Sequence, residues 1–394
     1  MKFQEIKNKI YYCGLNDCDR KIFDELIPLE NGTSYNSYLV IGSEKTAIID
    51  TMYPPKISEY LQNLSDNNVK KVDYIIANHG EQDHSGAIPA LLEKYPEAKV
   101  VTNPKVSTNI KSMLHVPAER IIEIADGDEL SLGDKTLKFI FAPGVHWPDT
   151  MFTYIAEDNV LCTCDFLGAH YVFANVFAVK NDELTKSAKR YYAEIMMPFR
   201  AMCKKYVEKI RNMHVDMIMP SHGPVHSKPD YILGLYENWT ADEPHNLVVL
   251  PYVSMYESTK AMIDYLAEKL EQKGISTFKF DIVSGDLGDY AMHIVDAATI
   301  VLGTSMVLAG PHPASVNAAY LTALLRPKTK FAALIGSYGW GGNLFGHIGE
   351  ILKPLNLDVV GTLQVKGKPT ALEFDKLEDL AEDIYHRHKS IGLL

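Results

Sequence analysis

Residues 79–84 read His-Gly-Glu-Gln-Asp-His and are separated by one residue from the apolar run Val72-Asp73-Tyr74-Ile75-Ile76-Ala77. A strand-like run that ends on four metal-ligating side chains must deliver its end to a site rather than to a core. The alternation projects His79, Glu81 and Asp83 from one short loop, with His84 beside them. Imidazole and carboxylate donors without thiolate suit iron, manganese or zinc better than an electron-transfer cluster.

Three more candidate ligands also follow strand-like runs. His146 follows Phe139-Ile140-Phe141-Ala142-Pro143-Gly144-Val145, Asp165 follows Val160-Leu161-Cys162-Thr163-Cys164, and His222 follows Met217-Ile218-Met219-Pro220-Ser221. In layered α/β folds ligands gather at strand ends, so four such loops can converge on one point. A single histidine after a strand is usually an ordinary buried residue. The compact run at 79–84 has no simple core role, and with the other three it predicts a dinuclear metal site.

The two halves of the chain differ in pattern. The first is rich in short strands, including a hairpin of Tyr38–Ile41 and Thr46–Asp50, with helices over Ser85–Lys94 and Lys186–Met213. Strands in series with interleaved helices predict an α/β sandwich of two sheets covered by helices. The second half alternates regularly. Strands 246–250, 277–280, 299–302, 331–335 and 357–360 are interleaved with helices 259–272, 289–297, 315–325 and 344–355, and a last helix covers 377–389. This alternation predicts a doubly wound parallel sheet. The polar stretch Trp239-Thr240-Ala241-Asp242-Glu243-Pro244 suits a linker, giving domains 1–243 and 244–394.

In the second half, the first strand runs into Ser254-Met255-Tyr256-Glu257-Ser258-Thr259 and then a helix. Hydroxyls and backbone N–H groups at a helix start cradle phosphate, although such a start is most often only a cap. Its place after the first strand of a doubly wound sheet favours the cradle. Two further loops fit a flat ring: one carries Thr304, Ser305, Met306, Leu308, Ala309 and Gly310, the other Ser337, Tyr338, Gly339, Trp340, Gly341 and Gly342. Glycines beside aromatic residues allow close backbone approach. The first turn has no Gly-x-Gly-x-x-Gly, so FMN is favoured over FAD.

Composition removes other classes. A formal net charge of -11 without a long basic run argues against nucleic acid as the main partner. The start of the chain lacks the apolar core of a signal peptide, and no stretch is apolar enough to span a membrane, so a cytoplasmic location is expected. The cysteines are Cys13, Cys18, Cys162, Cys164 and Cys203. Their odd count, and the lack of a Cys-x-x-Cys, argue against a disulfide framework or iron–sulfur module.

The ligand pattern resembles the metallo-β-lactamase superfamily, whose first motif is usually His-x-His-x-Asp-His. Here Glu81 stands at the second histidine position, as in the flavodiiron proteins, also called A-type flavoproteins. The resemblance covers nearly the whole chain and includes Asp83-His84-Ser85-Gly86, His146-Trp147-Pro148, Cys164-Asp165-Phe166 and Ser221-His222-Gly223-Pro224. It implies an N-terminal metallo-β-lactamase-like αβ/βα sandwich and a C-terminal flavodoxin-like sheet. One iron would be held by His79, Glu81 and His146, the other by Asp83, His84 and His222, with Asp165 bridging. His170 matches a histidine near the family's substrate pocket, a catalytic role to weigh against a structural one. His226 reads as surface or supporting.

The resemblance also implies two irons and FMN, and reduction of dioxygen to water, of nitric oxide to nitrous oxide, or both. The donor would be a rubredoxin-type protein or a reduced deazaflavin coenzyme. A head-to-tail homodimer, or a dimer of dimers, would face each flavin to its partner's irons. Glu81 adds a hard anionic donor, which stabilises ferric iron and favours redox cycling over zinc hydrolysis. A zinc hydrolase fused to a flavodoxin-like domain, and a flavin carrier without catalysis, are the alternatives. Many members have glycine where this chain has Glu257.

Overall fold

The computed structural model describes residues 2–394, and the chain divides into two compact units between Thr240 and Ala241. Trp239 and Thr240 belong to a helix, Pro229–Thr240, rather than to a linker. The reason is burial: the Trp239 ring packs on Tyr192 and Tyr236, each with centroids 5.4 Å away.

The first unit holds a seven-stranded and a five-stranded sheet. Strands Gln4–Lys7, Ile10–Tyr12, Tyr38–Ile41, Thr46–Ile49, Tyr74–Ile76, Lys99–Thr102 and Ile121–Glu123 lie side by side in chain order; Glu129–Ser131, Thr136–Phe141, Met151–Ile155, Val160–Cys164 and Met217–Pro220 do the same. Alternation along each strand sorts the side chains between two layers. Val40, Ala47, Ile49, Ile76 and Val101 face Leu137, Phe139, Met151, Val160 and Met219 of the other sheet. Leu39, Ile48, Ile75 and Val100 face helices through Tyr60, Leu64, Leu91 and Ile110. The result is the αβ/βα sandwich expected from the sequence.

Two expected helices are interrupted. Lys186–Met213 divides into Asp182–Tyr191, a π turn at Tyr192–Met196, a tight turn at Met197–Phe199 and Arg200–Arg211. Pro198 cannot donate a backbone bond, which ends the regular ladder. Ser85–Lys94 divides at Gly86 and Ala87 into Gln82–Ser85 and Ile88–Lys94, with Pro89 starting the second piece.

The second unit is a parallel sheet in the order Ser276–Asp281, His245–Tyr252, Ala297–Val307, Phe331–Tyr338, Asp358–Lys366. In chain order this is 2-1-3-4-5, the flavodoxin-like arrangement, whose ligand crevice lies at the switch between the first and third strands. Helices Ser258–Gln272 and Ala371–Ser390 cover one face, against Val301 and Ala333. Pro313–Leu325 and Gly346–Leu352 cover the other, against Leu302 and Leu334. The third strand is longer than the sequence suggested: Thr304, Ser305 and Met306 continue it, with Ser305 paired to Ser337. The last helix starts six residues earlier than expected, at Ala371, because Thr370 and Glu373 form a capping box.

Candidate metal centre and flavin cleft

The seven candidate ligands come together at the ends of strands in the first unit. His79, Glu81, His146 and Asp165 form one group and Asp83, His84 and His222 another; within each, one donor atom per residue lies within 4.8 Å of the others. Asp165 belongs to both neighbourhoods. Its Oδ2 is 3.7 Å from His79 Nε2 and 3.5 Å from His146 Nε2, while its Oδ1 is 3.0 Å from His84 Nε2 and 3.4 Å from His222 Nε2. Glu81 Oε2 lies 3.2 Å from His79 Nε2 and 3.3 Å from His146 Nε2.

These donors converge on points in space more than on one another. Both Asp83 oxygens, His84 Nε2 and His222 Nε2 are buried without a hydrogen-bond partner, although Asp83 approaches the two rings to 3.3 and 3.1 Å. Buried polar atoms left this way are costly unless a cation takes them up. The titration tendencies agree. Burial would lower the imidazole pKa of His146 and His222, but contacts with Asp165 and Glu81, or with Asp165 and Asp83, push them up to about 9 and about 10. Burial would raise the Asp165 carboxyl, yet His84, His146 and His222 hold it well below the usual range. The cluster is short of positive charge, which a pair of divalent cations supplies. The residues therefore fit a two-metal centre.

His170 is buried beside this group. Its Nδ1 is 2.9 Å from Thr33 Oγ1, its Nε2 has no hydrogen-bond partner, and its ring lies 5.1 Å from that of His222. Burial and the neighbouring His222 hold its pKa well below the ordinary value, so the ring is neutral. Phe23, from the small Ile22–Pro28 hairpin, packs on it with centroids 4.2 Å apart and the rings tilted by 45°. His226 is buried rather than on the surface, and burial lowers its pKa to about 4. It is not in either donor group.

In the second unit a cleft of about 420 Å³ opens at the carboxyl ends of the strands, a volume suited to one small cofactor. Met255, Tyr256, Ser258, Ser305, Met306, Ser337, Tyr338, Gly339 and Trp340 line it. The other sequence candidates stand behind these. Ser254 Oγ accepts from Lys260 N, in the first turn of the helix, at 3.1 Å. Thr259 is fully buried and ties the three segments together through Ser337 Oγ at 2.9 Å and Ser305 Oγ at 3.3 Å. Thr304 is fully buried and its Oγ1 accepts from His312 N. Leu308 and Ala309, both at positive φ, form the turn that folds the third strand back, and Gly310 starts the return strand against Val307. Gly342 has φ +141°, and a Cβ there would sit 2.5 Å from Ala309 O, while Gly339 and Gly341 face open space. Trp340 and Tyr256 are 67% and 80% exposed beside the cleft, so the walls offer aromatic faces to a flat ligand.

Residues 33–223 match the family model described as ODP family beta lactamase. The chain is 33% identical over 365 residues to a protein from Moorella thermoacetica named nitric oxide reductase, covering 90% of each. The rubredoxin oxygen:oxidoreductase of Desulfovibrio gigas has a TM-score of 0.94 at 27% identity over 99% of each chain. The flavodiiron protein of Giardia intestinalis has 0.92 at 25%, over 99% of this chain and 97% of that one. The chain belongs to the flavodiiron proteins. It is accordingly an oxidoreductase, with the fold expected from the sequence, and the zinc-hydrolase reading is not favoured.

This flavodiiron chain also uses residues that its sequence alone did not reveal. Asp149 is buried, and its Oδ1 lies 2.7 Å from His79 Nδ1. Its Oδ2 accepts from Asn109 Nδ2 at 2.7 Å and from Gly80 N at 3.2 Å. Asp50 is buried too, and accepts from Asn78 N, Asn78 Nδ2 and Ser221 Oγ, so it ties together the loops that carry His79 and His222. At the flavin cleft, Gly367 and Lys368 complete the lining from beyond the last strand. Glu257 takes φ +64° and points into solvent. Among the described residues no helix is long and apolar enough to cross a membrane.

Proposed function

We propose that this chain reduces dioxygen to water, nitric oxide to nitrous oxide, or both, at a pair of irons held by His79, Glu81 and His146 and by Asp83, His84 and His222. The observation that carries the reading is Asp165, whose two oxygens each face a different donor group. When bound, the irons supply Lewis acidity and electrons, and FMN takes electrons from a donor and releases them singly. The chain's own residues hold the geometry. Tyr191 donates to Asp165 Oδ1 at 3.0 Å and fixes the shared carboxylate. Asp149 and the Ser34 carbonyl, 2.7 Å from His222 Nδ1, present the Nε2 atoms of His79 and His222 to the metals. His170, held through Nδ1 by Thr33, lies beside the pair with its ring 5.1 Å from that of His222.

The names of the relatives support nitric oxide and dioxygen alike, and a rubredoxin-type donor or a reduced deazaflavin serves either. The protein acts in the cytoplasm as a head-to-tail homodimer or a pair of such dimers. The test is anaerobic mixing of the reduced, iron- and FMN-loaded protein with dioxygen and, separately, nitric oxide. Rapid flavin reoxidation by at least one gas is expected; reoxidation by neither sinks the reading, as does a protein that holds two zincs and no iron.

A further inference from the structure

Between the helix Asp182–Tyr191 and the segment 29–31 lies a cavity of about 10 Å³. That is the room one water needs. Its inner wall is His170 and Tyr191, which lie beside the metal centre, and its flank is Ser187, 6% exposed. Ser187 Oγ accepts from Asn31 Nδ2 at 3.1 Å. The outer wall is charged. Lys186 Nζ lies 2.8 Å from Glu30 Oε2, and Arg190 spans inward from Glu30, at 3.4 Å, to Glu194, at 3.0 Å. Exposure falls along this line, from 47% at the Lys186 side chain and 39% at Glu30 to 7% at Arg190 and 1% at Glu194. Glu194 sits in the π turn Tyr192–Met196, a distortion that recurs at functional sites. The polar line therefore runs from solvent to Glu194 along the outer side of the cavity, and the inner side is His170, whose Nε2 has no hydrogen-bond partner.

The reaction needs such a line. Reducing dioxygen to two waters takes four electrons and four protons, and coupling two molecules of nitric oxide to nitrous oxide and water takes two of each. The electrons come through the flavin, and the protons must come from solvent into a site walled by buried side chains. We propose that this cavity holds one water, positioned by Ser187, through which protons pass from the Glu30 carboxylate at the solvent edge to His170 beside the metal centre, while Arg190 stays charged and holds Glu30 and Glu194 in place. The water accepts a proton on one side and releases one on the other, so no wall residue ends a turnover with altered charge. The inference rests on the reductase reading, and it makes Ser187 a positioning residue.

A high-resolution crystal structure of the iron- and FMN-loaded protein tests the first half. An ordered water hydrogen-bonded to His170 Nε2 and close to Ser187 Oγ is expected, and an empty cavity overturns the proposal. Ser187→Val fills the space with methyl groups. The variant should keep its iron and FMN, lose the water, consume gas roughly tenfold more slowly and show a larger solvent deuterium isotope effect. A variant with the wild-type rate and isotope effect overturns the proposal. If Ser187→Val loses its metal, Glu30→Gln carries the kinetic arm: a pH–rate profile identical to wild type counts against the route. Wild-type protein inert to both gases refutes the reductase reading instead, and the crystallographic water still decides whether the cavity is built for one.

Discussion

Glu81 Oε2 approaches His79 Nε2 from the metal side at 3.2 Å, while Asp149 holds the same ring from behind at 2.7 Å. On the proposed ligand set, one side chain chooses the metal and the other aims a ligand at it. Replacing Glu81 by histidine removes the hard oxygen donor and restores the hydrolase-type ligand run. Zinc binds nitrogen-rich sites more tightly than ferrous iron does, so Glu81→His should raise the zinc-to-iron ratio by roughly tenfold in cells grown with both, read by elemental analysis. An unchanged ratio would mean that Glu81 does not select the metal. Asp149→Ala leaves the His79 ring free to turn and removes the carboxylate that strengthens its basicity. Losing such an outer partner typically weakens metal binding by about 10–100-fold. The variant should retain about one iron per chain, since the partner of His222 is the Ser34 carbonyl and is untouched. Mössbauer spectra distinguish that selective loss from general unfolding, which would release both irons together.

At the scale of elements, the last helix is fastened to the flavodoxin-like sheet by His388, whose Nε2 lies 2.7 Å from Thr299 Oγ1 and whose Nδ1 lies 2.8 Å from Asn246 Oδ1. Burial lowers its pKa to about 4 from the ordinary 6.5. The folded state thus favours the neutral ring. The stabilisation this brings is present above about pH 6.5 and is lost as pH falls toward 4, because the unfolded chain binds the proton first. Urea unfolding of wild type and His388→Gln at pH 7 and pH 5 should show a steeper loss for wild type; parallel losses would remove His388 from the account. Gly342 governs a second element, the turn against Ala309. Gly342→Ala puts a Cβ 2.5 Å from Ala309 O at φ +141°, a strain of about 1–3 kcal/mol if the turn is held. FMN affinity, measured by fluorescence titration of the apoprotein, should fall by about tenfold. These elements also mark what the sequence made legible. The run His79–His84 is consecutive, and the parallel sheet announced itself by its period. Asp149 lies 70 residues from the ring it holds, and only pairing between sheets brings it there. Gly367 and Lys368 were hidden because the last strand runs to Lys366, beyond the short apolar stretch that betrayed it.

For the whole molecule, the metal donors all lie before residue 240 and the flavin cleft all after it, in two separately compact units. A reductase must carry electrons from one to the other. If a head-to-tail dimer does this, each flavin serves the partner's irons, and two defective chains can repair one another. An Asp165→Ala chain lacks the carboxylate shared by both donor groups but keeps the flavin cleft. A Gly342→Asp chain keeps the metal donors but drives a charged side chain against Ala309 and the cleft residue Met306. Co-expressed with different tags and purified through both, the hybrids pair one intact flavin with one intact metal centre across the interface. They should show about half the wild-type rate per dimer, because one of two flavin–iron pairs works. Each variant alone should be nearly inactive. If the hybrids are as inactive as their parents, electrons do not cross between chains. A hybrid at about half the wild-type rate would make the dimer, rather than the single chain, the smallest unit that can turn over.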